Sequence, residues 1–140
     1  MRQLFIFALW GLVHHLGDSC VPTPVILKDV VDRCARSLSE EDKALIRSTT
    51  PDGGKLKDFS LCLYTGYGYY RNGSFDLSFI KKFVEDSTGD KSLAERVYVD
   101  AEPHLKAANA LPGTDGDRTH SFWLRNYDEE SRKLREELWC

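Results

Sequence analysis

Four cysteines and four histidines are the residues of this chain best suited to chemistry, as nucleophile, base or metal ligand. A catalytic cysteine, serine or threonine needs a base within hydrogen-bond reach. His14 and His15 lie in an N-terminal apolar segment, which leaves His104 and His120 for the remainder of the chain. His120 could serve as a base, although a histidine on a surface or at a helix start needs no such role. No Gly-x-Ser-x-Gly elbow is present, and neither Cys-x-x-Cys nor His-x-x-x-His spacing occurs to hold zinc. The run "DGDRTH", residues 115–120, supplies acids but lacks the ligand spacing and closing glutamate of a calcium loop. The sequence therefore predicts no catalytic residue, no metal and no cofactor: a protein that is not an enzyme.

What remains is aromatic. The stretch "DFSLCLYTGYGYYRNGSFD", residues 58–76, places four tyrosines and three glycines around one cysteine. Tyr64, Tyr67 and Tyr70 are spaced by three and drift around one side of a helix; Phe79 and Phe83, four apart, share a face of the next. Phe122 and Trp123 stand at the start of another. Tyrosine and tryptophan combine large apolar surface with a polar tip, which suits a cavity that buries a ligand and orients it. For any single ring, plain core packing is a sufficient account. Taken together, the seven side chains favour carriage of a small molecule over chemistry.

The elements that must position these rings read as helices throughout. Leu27, Val30, Val31, Cys34 and Leu38 form one stripe of a first helix. Ser39 with Asp42 resembles a capping box opening a second, which Pro51 must end. Lys55 to Tyr70 carries Leu56, Phe59, Leu63, Tyr67 and Tyr70 on one side of a third. Asn72-Gly73 is a turn, and Asp76 caps a fourth helix that runs to Gly89, with Phe75 and Ile80 placed as a hydrophobic staple. Ser92 and Glu95 form a capping box for a fifth, which Pro103 should kink or break. "LPGTDGD", residues 111–117, reads as a loop, and a sixth helix runs from about Arg118 to Leu138. No alternating pattern of convincing strand length occurs. The prediction is an all-α domain of about six short helices around an internal hydrophobic cavity, tied by disulfides.

Compartment follows from the N-terminus. Arg2 precedes an apolar run from Leu4 to Val13, too short to span a bilayer and suited to a signal peptide. Gly17 and Ser19 fit a cleavage site, so residues 1–19 read as a signal peptide and 20–140 as a single secreted domain; cleavage after Cys20 is the near alternative. Arg2 and Asp18 cancel, so the net charge of −3 persists after cleavage. No basic stripe is present for nucleic acid, and no apolar span remains for membrane insertion. In an oxidising compartment Cys20, Cys34, Cys62 and Cys140 are expected to pair, and three pairings are open. Asn72-Gly73-Ser74 is an N-glycosylation sequon.

Residues 55–76, "KLKDFSLCLYTGYGYYRNGSFD", resemble the central signature of insect odorant-binding proteins: a Lys-Leu-Lys start, cysteine, an apolar glycine-bearing helix and a polar-Gly turn. Cys62 matches the second of the family's two central cysteines, Asp58 stands in place of the first, and Cys34 sits at the family's first cysteine. Downstream, "RTHSFWLRNY", residues 118–127, fits the closing segment, with Arg118 and Tyr127 in place of its cysteines. The resemblance covers about residues 25–127 and describes a divergent member with fewer cysteines. It implies a Cys34–Cys62 bridge with both residues on inward stripes, and it leaves Cys20 and Cys140, which match no family position, to each other, with a free or intermolecular Cys140 as the alternative.

The resemblance further implies a secreted carrier of an odorant, pheromone or lipid-like molecule. Tyr64, Tyr67, Tyr70, Phe79, Phe83, Phe122 and Trp123 would line or lid its cavity, a membrane receptor would be the recipient on delivery, and the protein would be a monomer or weak homodimer. A scavenger or host-interaction protein on the same fold, and a secreted structural protein with a filled core, are the alternatives.

Overall fold

The computed structural model describes residues 23–48, 52–125, 128–130 and 132–133. The signal segment, Cys20, Cys140 and Pro51 fall outside the described residues, as does most of the expected helix beyond Leu124. Six α-helices and one two-residue hairpin follow in order: α1 Val25–Ala35, α2 Glu40–Arg47, α3 Lys57–Gly66, β1 Tyr70–Arg71, β2 Ser74–Phe75, α4 Leu77–Thr88, α5 Lys91–Ala110 and α6 Asp115–Leu124. The domain is mostly helical, as its periodicity predicts.

Local chemistry explains the boundaries. Ser39 accepts a hydrogen bond from the Asp42 N–H at 3.1 Å and Asp76 accepts from Phe79 N–H at 2.9 Å, each a side-chain N-cap. Phe75 and Ile80, one residue before the cap and four after it, are both buried. Gly89 closes α4 at φ +65°, where a Cβ would be strained.

Other boundaries differ from the sequence reading. α5 is capped by Asp90, which accepts from both Ser92 and Leu93 N–H, and not by a box at Ser92. It then continues helically through Pro103. Val99 and Pro103 are both exposed, so the carbonyl that loses its donor lies on the solvent side of the helix. α6 begins at Asp115 inside the expected loop, because Thr114 and Asp117 form a reciprocal capping box.

α3 is the largest departure. It ends at Gly66, and Tyr70 leaves the helix to pair antiparallel with Phe75. Asn72 and Gly73 take φ +51° and +80°, the two positive angles of a hairpin turn matched to strand twist. The Asn109 side chain on α5 holds this hairpin, accepting from Phe75 N–H at 2.7 Å and donating to Phe75 C=O at 3.1 Å.

α3 sits at the centre, packed on α1 and α6, while α5 packs on α4 and α6. Its contact with α6 is made by small residues: the Ser60 and Thr119 hydroxyls lie 3.4 Å apart, fully buried, each also donating to a carbonyl of its own helix. Its contact with α1 is an antiparallel crossing in which Val30 meets Gly66 and, one turn away on both helices, Cys34 bonds Cys62. Cys34 is buried, but Cys62 is exposed, so only one of the two sulfur-bearing residues lies on an inward stripe. Closing a loop of this length stabilises by about 3–4 kcal/mol at most.

Candidate functional site

The expected aromatic residues largely converge. Tyr64 on α3 contacts Phe75 at 5.3 Å and Phe122 at 5.4 Å between ring centroids, and Phe75 also meets Tyr70 and Phe122, each at 5.1 Å. From Tyr64 the network extends to Tyr67 and Tyr69, then to Phe83 at 5.4 Å and Phe79 at 6.3 Å from Tyr69. Most pairs are edge-to-face or tilted, the arrangement favoured by ring quadrupoles. Six of the seven residues named from the sequence belong to this network: Tyr64, Tyr67, Tyr70, Phe79, Phe83 and Phe122.

Trp123 does not. It lies on the buried stripe of α6 with Gly116, Thr119 and His120, and its ring packs edge-on against Phe59 at 6.3 Å and face-on against His120 at 5.9 Å. Phe122 and Trp123, adjacent on a helix, point roughly 100° apart, and only one could face the network. Tyr69 and Phe75, the latter expected only as a staple for α4, are network residues that the sequence does not mark as part of the site. A three-residue spacing singled out Tyr64, Tyr67 and Tyr70; once the helix ends, alternate residues along an extended chain become the relevant set.

Gly68 makes the bend that brings Tyr69 to α4. Its φ of +76° reverses the backbone's hand, and a Cβ there would lie 3.3 Å from the Phe79 ring. Phe79 and Phe83 stack on one face of α4 at 6.2 Å, as their spacing requires.

The network is graded in burial. Tyr64, Tyr70 and Phe75 are sealed in the core, whereas Tyr67, Tyr69, Phe79 and Phe83 are half-buried. Polarity is graded too. The Tyr70 hydroxyl donates to Asp115 Oδ1 at 2.8 Å. The hydroxyls of Tyr67 and Tyr69 have no hydrogen-bond partner among the described residues. Burial pushes both phenols well above the usual tyrosine range, and for Tyr69 the neighbouring phenols of Tyr67 and Tyr64 act in the same direction. Both residues keep some accessible surface, and both phenols are protonated at neutral pH, as any tyrosine with its ordinary value is.

Charge is confined to the margin. The Arg71 guanidinium lies 4.8 Å over the Phe79 ring and pairs with Asp76 at 2.5 Å. At the far side Arg125 covers Phe122 at 5.3 Å and pairs with Asp100, while its Nε is buried without an acceptor.

The two histidines separate. His104 is exposed on α5. His120 lies within α6, not at its start, and its side chain is buried and bonded to the carboxylate of Asp52. No group of three or more His, Cys, Asp or Glu placed to hold a metal occurs among the described residues, and no helix among them is long and apolar enough to cross a membrane. Asn72 is exposed at the hairpin tip.

No family model matches the chain, and no curated protein or solved structure does either.

Proposed function

We propose that the protein is a secreted carrier that holds one small hydrophobic molecule, in the manner of the odorant-binding proteins its central segment resembles. One observation carries this reading. The half-buried end of the aromatic network presents two hydroxyls, those of Tyr67 and Tyr69, that no described residue bonds. A site awaiting a ligand leaves them for the ligand. Burial of the ligand's apolar surface, at about 25 cal/mol per Å², would supply the affinity, less the entropy of association.

The Cys34–Cys62 bridge is consistent with the resemblance, since it joins the two positions that the family alignment pairs. It also fits an oxidising compartment.

Titration of the purified protein with a hydrophobic fluorescent probe such as N-phenyl-1-naphthylamine tests the reading. Saturable one-to-one binding, displaced by medium-chain alcohols, esters or fatty acids and weakened by Phe83→Ala, is expected. Absence of saturable binding to folded protein, judged by circular dichroism, would overturn it in favour of a ligand-free structural role.

A further inference from the structure

The chemistry of the half-buried end narrows what such a ligand can be. Tyr67 and Tyr69 leave α3 on either side of Gly68, with ring centroids 5.4 Å apart, and Phe79 and Phe83 form the apolar wall beside Tyr69. We infer that Tyr67 and Tyr69 together form a hydroxyl clamp for a single uncharged oxygen acceptor, a ketone, aldehyde or ester carbonyl, whose alkyl chain lies against Phe79 and Phe83. This inference rests on the carrier reading above.

The charged groups around this position disfavour a charged ligand. A tyrosine phenol carries its O–H at neutral pH and can donate it, and a carbonyl oxygen has two lone pairs to receive two such donors. An ammonium would need an unpaired carboxylate or an open ring face. The carboxylate at this margin, Asp76, is taken by Arg71 and by the Phe79 N–H, and Arg71 already occupies the face of Phe79 and would repel a second cation. A carboxylate ligand would need a cation beside the hydroxyls, where Arg71 is already neutralised by Asp76; Arg33, whose Nη2 would lie 3.0 Å from a Cβ at Gly66, approaches α3 from the α1 crossing. The unmet Nε of Arg125 lies beyond Phe122, whose ring contacts are with Tyr64 and Phe75 and not with the Tyr67–Tyr69 pair.

Four ligands of one chain length separate these cases: 2-undecanone, undecane, undecylamine and undecanoate, each competed against the fluorescent probe at neutral pH. The ketone should bind at least tenfold more tightly than the alkane, and more tightly than either ion. The double variant Tyr67→Phe/Tyr69→Phe should abolish the ketone's advantage while leaving the alkane's affinity and the melting temperature unchanged, because neither hydroxyl bonds another described residue. Tyr70→Phe is the control: it removes the bond to Asp115 and should lower the melting temperature while preserving the ketone's advantage. Equal affinity for ketone and alkane, or an advantage that survives in the double variant, overturns the clamp and leaves the carrier intact. Tighter binding of undecylamine overturns the ligand class, and tighter binding of undecanoate does so in favour of a site at Arg33 or Arg125. If none of the four binds, the carrier reading falls and the clamp with it.

Discussion

The imidazole of His120 donates from Nε2 to Oδ1 of Asp52 at 2.7 Å, across 68 positions of sequence and with both side chains buried. A carboxylate only accepts, so the Nε2 proton is fixed by its partner. Asp52 also receives the N–H groups of Gly54 at 2.8 Å and Leu56 at 3.1 Å, which folds the chain into the turn that starts α3. One carboxylate therefore organises the entry to the central helix and joins it to α6, where His120 stacks on Trp123.

Removal of this carboxylate takes the acceptor from three donors, two of them buried, at Leu56 and His120, and one part-buried, at Gly54. Asp52→Ala should destabilise the protein by about 3 kcal/mol or more, a fall in melting temperature of roughly 10 °C. Thermal unfolding followed by near-ultraviolet circular dichroism, which reports aromatic packing, checks this. A change of less than about 0.5 kcal/mol would show that the pair is dispensable.

The crossing of α1 over α3 gives a second expectation. A Cβ added at Gly66 would stand 2.6 Å from Val30 Cγ1, and this crossing is the one that the Cys34–Cys62 bridge fastens. Gly66→Ala should cost about 1–3 kcal/mol despite the better helix propensity of alanine. Val30→Ala, itself destabilising, should cost less in the Gly66→Ala background than alone. Additive losses in the double-mutant cycle would refute the steric account.

Much of this architecture is legible in the sequence, for identifiable reasons. The stripe from Leu27 to Cys34 and the caps at Ser39 and Asp76 depend on neighbours within two turns, which a local reading contains. The end of α3 was not legible in the same way. Tyr67 and Tyr70 continue the helical spacing, and only the positive φ of Gly68 and the pairing of Tyr70 with Phe75 remove Tyr70 from the helix. Asn72-Gly73 carried the hairpin signal, but strands of two residues have no periodicity to read. The Asp52–His120 pair left no local trace, because neither residue has a sequence neighbour that requires the other.

At the tip of that hairpin, Asn72 is exposed in the left-handed region, and the sequon's Ser74 is exposed as well. Secretion from eukaryotic cells should therefore yield a glycosylated chain, shortened in apparent mass by peptide N-glycosidase F. Asn72→Gln should secrete as a single unshifted species. A wild-type chain insensitive to the glycosidase would show that the turn is bypassed in the secretory pathway.

The last expectation concerns acid. The Asp117 carboxyl is held well below the usual carboxylate range, first by Lys57, whose ammonium lies 2.7 Å from Oδ1, and then by the Thr114 N–H and hydroxyl, both 2.8 Å from Oδ2. These contacts join the start of α3 to the capping box of α6, so ionisation of one residue supports both helix ends. A carboxyl whose folded value lies below its unfolded one stabilises the fold above the unfolded value, about 3.9 for aspartate, and that contribution is lost as pH falls toward the folded value. Asp117→Asn should therefore lower the melting temperature at pH 6–7, and its deficit relative to wild type should shrink steadily below about pH 4. Because the pair is solvent-accessible, 1 M salt should narrow the same gap at neutral pH by screening Lys57. Melting curves from pH 2 to 7 decide the matter: parallel profiles for the two proteins would mean that Asp117 acts through its shape alone and that the asparagine amide replaces it in the cap.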